Sequence, residues 1–353
     1  MEYLKSVNDS IKSINEGNIQ YLNLFNFPVL LYGNPFYSKK VDFCKYTKEV
    51  QDEMIQFGSV VNNSMIYHKT ASCGCRIRFK TTSKRLVFKV QLKRGYNYKN
   101  MVTWNSSGMD IHLVTKEGKY LHKQLIAPQE GYKIYADEVH IPQNSRVCIF
   151  LPSYDTIENM YIGIEKNSRI AKFPYPKNKR SPIIFYGNDI TQGASASKSG
   201  NAYPNIVSRK LNQDIINLST TMCCRGTPKA AEMIGKLDCD AIVIDYSRNA
   251  SDLDYFKKTH EAFYRKIRGG HPDKKIIIMT SSLFNNNKKY ESFDEVIHET
   301  YANAKKRGEN TVLLNQQELF DKDEYGFVTI DGGCYTDYGM FRVADKICEL
   351  IKS

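Results

Sequence analysis

The stretch SPIIFYGNDITQGASASKSGNAY, residues 181–203, decides the fold. Its apolar run at 183–186 lies between a proline and Gly187, which predicts a short buried strand. A strand that ends at a glycine and continues into a helix start presents one side chain at the carboxyl edge of its sheet. Backbone N–H groups and the helix dipole favour negative charge there. In this chain that side chain is Asp189, preceded by Asn188.

Strands and helices alternate through the rest of the C-terminal half. Short apolar runs predict strands at 183–186, 215–218, 241–245, 276–280 and 311–314. Helical periodicity predicts helices at 203–211, 229–236, 255–268, 292–307 and 337–352. Alternation at this spacing predicts a parallel sheet covered by helices on both faces. Ligands of such sheets bind at the carboxyl ends of the strands.

The N-terminal half has the pattern of antiparallel β-structure. The run at 76–80 alternates, that at 86–92 alternates in part, and further short runs occur at 111–114 and 146–151. Clusters of Gly, Asn and Ser separate them, which predicts a β-sandwich or jelly roll. We place this domain at 46–171, after a helical or irregular lead-in at 1–45. The lead-in has apolar residues at helical spacing, namely Leu4, Val7, Ile11 and Ile14. The Pro- and Lys-rich segment 172–180 is predicted as the linker to an α/β domain at 181–353.

Composition restricts the class of protein. The chain has 353 residues, 41% of them hydrophobic and 25% charged, as in soluble globular proteins. It contains no run of 18 apolar residues and no signal-peptide pattern, so we expect a cytoplasmic protein without a membrane partner. Nine cysteines in that setting predict reduced thiols. The net charge of +12 comes from scattered lysines, which favours a solvated surface over a nucleic-acid site.

The first block of the α/β domain resembles that of the SGNH (GDSL-like) hydrolases. In one branch of that family the block reads roughly G-S-S-I-T-Q-G and is followed by N-A-Y-P. This chain matches it at Gly187, 190–193 and 201–204. The resemblance implies an SGNH-type three-layer sandwich with a parallel sheet. It also places Asp189 where the family has its nucleophilic serine.

The N-terminal half resembles the small β domain that precedes the hydrolase domain in this branch. Residues 74–79 match one part of that domain. The run 108–112, GMDIH, falls where the branch carries its G-x-D-L-Y signature, and 151–154, LPSY, falls where it carries an L-P-x-Y turn. The three matches occur in the expected order, which indicates the branch with a GxDLY-type domain.

Two further blocks concern the oxyanion. In 217–226 the family usually has a glycine, whose N–H helps to bind the oxyanion, at the position of Met222. If that position needs a positive φ, a long side chain is unfavourable there. In 245–249, Asn249 falls on the family's asparagine, an oxyanion donor; the alternative is a loop asparagine bonded to local backbone. Met222, Asn249 and Asn188 are our predicted oxyanion or substrate-binding residues.

The last block, 329–339, resembles the family's D-G-x-H-P-T-D-x-G. Asp331 is retained, but Cys334 stands at the histidine position. The resemblance therefore implies a catalytic set of Asp189, Cys334 and Asp331. None of the seven histidines lies in a matching block, and without a base of near-neutral pKa the serine–histidine relay cannot operate.

Three hypotheses about function remain. The protein could be repurposed for other acyl or covalent chemistry on a small-molecule or carrier-linked substrate, with Asp189 or the Cys334 thiolate as nucleophile. It could be an inactive pseudo-hydrolase that binds a ligand or partner. It could hold a metal through Asp189, Cys223, Cys224 and Cys334, although Cys223 and Cys224 could equally be buried fillers. The resemblance requires no cofactor. Polar or nucleophilic residues stand at the changed positions, which slightly favours the first hypothesis.

Overall fold

The computed structural model describes residues 17–36, 41, 43–93, 99–282, 284 and 288–353. The strands within these residues are β1 (Ile19–Asn23), β2 (Leu31–Tyr32), β3 (Arg76–Thr81), β4 (Arg85–Lys93), β5 (Met109–Val114), β6 (Tyr120–Ile126), β7 (Ile134–His140), β8 (Ser145–Phe150), β9 (Thr156–Glu165), β10 (Ile170–Lys172), β11 (Ile183–Gly187), β12 (Ile215–Asn217), β13 (Ala241–Asp245), β14 (Lys275–Met279) and β15 (Thr311–Leu314).

The α-helices within the same residues are α1 (Lys48–Met54), α2 (Ser59–His68), α3 (Thr103–Ser106), α4 (Asp189–Gln192), α5 (Tyr203–Leu211), α6 (Pro228–Ile234), α7 (Leu253–Gly270), α8 (Lys288–Lys306), α9 (Tyr325–Val328) and α10 (Asp337–Lys352). No helix in the described ranges is long and apolar enough to cross a membrane.

The N-terminal domain is a sandwich of two antiparallel sheets, as predicted. One sheet has the order β1-β9-β4-β7, and the other has the order β10-β3-β8-β5-β6 with β2 paired to β3. Alternate side chains of β3 and β4 point between the sheets and form the core, among them Ile77, Phe79, Phe88 and Val90. This alternation is the signal that the sequence carried.

The predicted lead-in is wrong in its second part. β1 pairs with β9, with Ile19 opposite Glu165, and β2 pairs with β3, so the sandwich begins well before residue 46. The predicted helical pattern at residues 4–14 lies outside the described residues. α1 and α2 fall inside the range assigned to the sandwich, but their apolar residues pack into the core of the α/β domain.

The α/β domain has a parallel sheet of order β12-β11-β13-β14-β15. Successive residues of β11 point to opposite faces, so that Ile184 and Ile183 belong to two different cores. One core lies against α1, α2, α6, α7 and α8, and the other lies against α5 and α10. This is the predicted three-layer arrangement, and the carboxyl ends of β11, β12 and β13 meet at one edge.

Two of the predicted helices have the observed bounds, and a third begins earlier than predicted. α5 and α10 have the predicted limits, whereas α7 begins two residues before its predicted start. The reason is Asp252, whose side chain accepts a hydrogen bond from the N–H of Tyr255 and so caps the helix.

Candidate functional site

A cleft of about 340 Å³ lies where the ends of β11, β12 and β13 meet the sandwich. The α/β domain and the sandwich both line it, through Asn100, Met101, Tyr154, Asp189, Ala194, Thr221, Met222, Arg248, Asn249 and Tyr290. The structure therefore brings together three predicted site residues, Asp189, Met222 and Asn249. Tyr154 comes from the predicted L-P-x-Y turn, so the sandwich supplies one wall of the site.

Asp189 is the first residue of α4, directly after β11. Its side chain is 23% exposed at the cleft, as expected for the residue at the end of this strand. Asn188 does not line the cleft, contrary to the prediction. It is buried, and its side-chain oxygen accepts hydrogen bonds from the N–H groups of Ile190 (2.8 Å) and Thr191 (3.3 Å). Asn188 is thus the N-cap of α4.

Arg248 is the residue that the sequence analysis missed. Its Nε lies 3.5 Å from Oδ1 of Asp189, and its Nη2 lies 3.8 Å from Sγ of Cys334. Nη1 is buried and has no hydrogen-bond partner among the described residues. Burial has the largest single effect and would lower the pKa of Arg248, but Asp189 and the neighbouring Cys334, Tyr290 and Asp331 together outweigh it, so the pKa is raised. A cation directly before Asn249 at the end of a strand was the available signal.

Cys334 lies behind Arg248 and does not line the cleft. It is 1% exposed, and Nδ2 of Asn100 donates to its sulfur over 3.6 Å. Burial raises the pKa of the Cys334 thiol to about 12, and the Asp189 carboxylate adds to this, whereas Arg248 opposes it. At neutral pH only about one thiol in 10⁵ is then a thiolate. The side chain predicted as a nucleophile is a protonated, buried thiol.

Asp331 shapes the loop that carries Cys334. Its Oδ1 accepts hydrogen bonds from the N–H groups of Gly333 (3.0 Å) and Cys334 (2.6 Å). Burial opposes ionisation of Asp331, but these hydrogen bonds and the nearby Arg248 lower its pKa on balance. The carboxylate therefore stabilises a local turn, and in the part of the chain that the structure describes no histidine is bonded to it.

The two predicted oxyanion donors are paired with each other. The N–H of Met222 donates to Oδ1 of Asn249 over 3.2 Å, and Nδ2 of Asn249 donates to the carbonyl oxygen of Thr220 over 3.3 Å. If the Asn249 amide were flipped, its NH₂ group would face the N–H of Met222 and its oxygen would face the carbonyl oxygen of Thr220. Neither pair can form a hydrogen bond, so the contacts determine the orientation of the amide. This is the alternative of a loop asparagine bonded to local backbone.

Met222 adopts a backbone conformation that favours glycine, with φ at 64°. We expect Met222→Gly to raise the free energy of unfolding by up to about 1 kcal/mol, since a side chain costs about 1–2 kcal/mol there and glycine returns part of that gain through chain entropy. Urea denaturation measures the change. Met222→Ala keeps Cβ and is expected to show no gain; an equal gain for both variants would show that the long side chain, and not φ, is the source.

Cys223 and Cys224 are core residues away from the cleft. Sγ of Cys223 lies 3.8 Å from the carbonyl oxygen of Val61, and Sγ of Cys224 lies 3.5 Å from that of Leu218. Burial raises their pKa values to about 12 and about 11. They lie on the opposite face of the sheet from Cys334, so the predicted grouping of these thiols is wrong. No cluster of three His, Cys, Asp or Glu side chains in the described part of the chain could hold a metal.

Asp245 is a buried carboxyl group that bonds to the segment carrying Asp189. It is buried at the end of β13, and four donors reach it: the hydroxyls of Thr191 (3.0 Å) and Tyr203 (3.1 Å) and the amides of Gln316 (3.3 Å) and Asn188 (3.4 Å). Burial raises the pKa of Asp245 to about 6, against the effect of the Thr191 and Tyr203 hydrogen bonds. One carboxyl group at the end of β13 thus joins the segments that follow β11 and β15.

Comparison with known proteins agrees with this architecture. A model of the GDSL-like Lipase/Acylhydrolase family matches residues 180–352, and a model of the N-terminus of SGNH-hydrolase-type esterases, GxDLY, matches residues 21–170. A comparison with curated proteins finds no match.

Several solved structures share the fold over most of the chain. A Bacteroides ovatus ATCC 8483 protein named for its likeness to GDSL lipases is 24% identical, with a TM-score of 0.81 over 95% of this chain and 98% of its own. The salicylyl-acyltransferase SsfX3 of a tetracycline biosynthetic pathway is 14% identical, with a TM-score of 0.73 over 95% and 94%. A family two carbohydrate esterase of Clostridium thermocellum, an active-site mutant, is 10% identical, with a TM-score of 0.58 over 79% and 91%.

At these identities the solved structures establish the fold, and the two family models establish the ancestry of each domain. The chain belongs to the SGNH (GDSL-like) hydrolase family, in the branch whose hydrolase domain follows a GxDLY-type β domain.

Proposed function

We propose that this protein is a non-hydrolytic member of its family, which binds a small uncharged acyl compound in the cleft without cleaving it. The observation that carries the proposal is the position of Arg248. Its guanidinium lies between Asp189 and Cys334, the residues that the sequence resemblance assigns to the family's serine and histidine positions. An arginine cannot act as a general base, because it stays protonated at every physiological pH.

The remaining groups support binding over turnover. Acyl transfer needs an activated nucleophile and free donors for the oxyanion. Here the thiol of Cys334 has a pKa of about 12, and the N–H of Met222 and one of the two N–H donors of the Asn249 amide are used within the protein. No histidine is among the described residues that line the cleft.

The charges of the cleft favour a ligand without net charge. Arg248 is balanced by Asp189, and the carboxylate of Asp331 is near enough to affect the pKa of Arg248. An anionic ligand would add a further negative charge to this set. Arg248 lines the cleft and its side chain is 19% exposed, so its guanidinium can instead donate to a neutral carbonyl oxygen, which is the polar group of an ester or amide.

The experiment compares butyramide with butyrate, which share an acyl chain and differ in charge. We expect NMR titration to show that butyramide shifts the resonances of cleft residues and butyrate does not. p-Nitrophenyl acetate should be hydrolysed no faster by the protein than by its Cys334→Ser variant. Preferred binding of butyrate would contradict the ligand class, and turnover well above that of the variant would contradict the absence of catalysis.

The covalent hypothesis retains one supporting feature, the partial exposure of Asp189 at the cleft. Its pairing with Arg248 opposes attack, because the cation stabilises the carboxylate. Intact-mass measurement after incubation with p-nitrophenyl acetate decides between the covalent hypothesis and the proposal of binding without cleavage. An acyl adduct that is absent from Asp189→Asn would favour covalent chemistry over the proposal.

A further inference from the structure

A buried lysine and a buried cysteine lie against each other at the junction of the two domains. Nζ of Lys45 is 2.6 Å from Sγ of Cys73, and the two residues are 3% and 1% exposed. The other contact of Nζ is the carbonyl oxygen of Ser219, at 3.1 Å. No carboxylate pairs with Lys45 in the described ranges, although a buried ammonium group ordinarily needs one.

The separation of the two atoms is short for a hydrogen bond. An N–H···O bond spans about 2.9–3.0 Å, and an N–H···S bond is longer because sulfur is the larger atom. Nitrogen and sulfur that are both singly bonded to one oxygen atom lie about as far apart as Nζ and Sγ do here. The amine of Lys45 and the thiol of Cys73 are therefore positioned for a one-atom bridge.

We propose that Lys45 and Cys73 form a covalent N–O–S cross-link, with dioxygen as the oxidant. The balanced step is R–NH₂ + R′–SH + O₂ → R–NH–O–S–R′ + H₂O. An N–O and an S–O bond form, while one N–H bond, the S–H bond and the O–O bond break. Nitrogen and sulfur each lose two electrons, and O₂ takes up the four. One oxygen atom becomes the bridge and the other leaves as water.

The site favours this reaction over unassisted oxidation of the thiol. Addition of O₂ to the thiol gives R′–S–O–OH, and attack of the Lys45 amine on the sulfur-bound oxygen of this species forms the N–O bond, breaks the O–O bond and releases water. The amine is in place for this attack because it is in contact with the sulfur. Dioxygen is small and apolar enough to enter a packed interior, whereas a large thiol reductant is not. The bridge should therefore persist in the folded protein and be reduced mainly after local opening.

The cross-link would close the segment that holds α1 and α2. Lys45 and Cys73 are 28 residues apart, and both helices lie between them. This helical pair holds the loop after β12: the hydroxyl of Tyr46 donates to the carbonyl oxygen of Leu218, and that of Ser64 donates to the carbonyl oxygen of Thr221. The bridge is thus a redox-reversible cross-link in the segment that packs against the loop carrying Met222. This inference does not depend on the proposed ligand.

Intact-mass spectrometry of the full-length protein, purified in air, tests the proposal. We expect a species that has gained one oxygen atom and lost two hydrogen atoms, a change of about 14 Da, and that dithiothreitol returns to the unmodified mass on partial unfolding. A tryptic digest should join the peptides of Lys45 and Cys73, with no cleavage after Lys45. Reduction should lower the melting temperature, because the closed segment regains its freedom in the unfolded chain.

Two variants provide matched controls. Lys45→Arg keeps the cation but cannot form the bridge, and Cys75→Ser removes a neighbouring buried thiol and should leave the bridge intact. An unchanged mass of the wild-type protein after prolonged exposure to air would overturn the proposal. So would a gain of oxygen without loss of hydrogen, which indicates oxidation of cysteine alone, or a loss of two hydrogens without oxygen, which indicates a direct S–N or S–S bond. These readouts use the wild type and hold even if a variant fails to fold.

Discussion

Replacing Asp245 with alanine is expected to lower the free energy of unfolding by about 3–5 kcal/mol, because buried donors lose their acceptor. Four donors reach this carboxyl group, two hydroxyls and two amides. The loss is smaller than four separate penalties, since the hydroxyl of Tyr203 also reaches Oγ1 of Thr191 and the amide of Gln316 also reaches the carbonyl oxygen of Thr280. Urea denaturation at pH 7 measures the change.

Asp245→Asn is the matched control, and it gives the expected pH dependence. The folded pKa of Asp245 is raised from 3.8 to about 6, so the folded state binds this proton more tightly than the unfolded state does. The resulting stabilisation is present below pH 4 and is lost as the pH rises to about 6, about 3 kcal/mol in all. Asparagine keeps the shape and does not titrate, and the hydroxyls of Thr191 and Tyr203 can turn to accept its amide.

We therefore expect the stability advantage of the wild type over Asp245→Asn to fall by about 3 kcal/mol between pH 4 and pH 7. At pH 7 the asparagine variant should be much more stable than the alanine variant. If asparagine were as damaging as alanine at pH 7 and the difference did not change with pH, the four donors would require an ionised carboxylate, and the raised pKa would be excluded.

Replacing Arg248 with methionine is expected to weaken binding of butyramide by about 10- to 100-fold, the range for loss of a hydrogen bond to a charged group. Methionine fills a similar volume but offers no donor to a carbonyl oxygen. Asp189 also loses its cationic partner, 3.5 Å away, and becomes a worse neighbour for an apolar acyl chain. NMR titration of both proteins measures the ratio of dissociation constants.

Arg248→Lys separates the contribution of the positive charge to ligand affinity from that of the planar guanidinium geometry. Lysine keeps a cation near Asp189 but has no planar second arm, so we expect an intermediate loss of affinity. Thermal denaturation should show that both variants are folded. Unchanged affinity in the methionine variant would remove Arg248 from the binding site and, with it, the main support for the proposed function.

Prediction from sequence succeeded where neighbours along the chain decide the outcome. The apolar run at 241–245 became β13 with the predicted limits, and the matches around Gly187 and at 108–112 identified both domains. It failed for β1, because a strand at the edge of a sheet is recognised through its partner β9, which lies more than a hundred residues away.

In the candidate site, too, local sequence predicted some features and contacts between distant segments decided others. The sequence alone predicted that Asp189 and Cys334 stand at the family's serine and histidine positions and that Asn249 stands at its asparagine position, and these assignments stay predictions. It could not show that Asn188 caps a helix, that Cys223 lies across the sheet from Cys334, or that Asn249 bonds to Met222. The identities of the residues and the order of the motifs can be read from the sequence itself. Which side chain meets which, and therefore which thiol is buried and which donor is occupied, depends on packing between distant segments, and only the tertiary structure decided it.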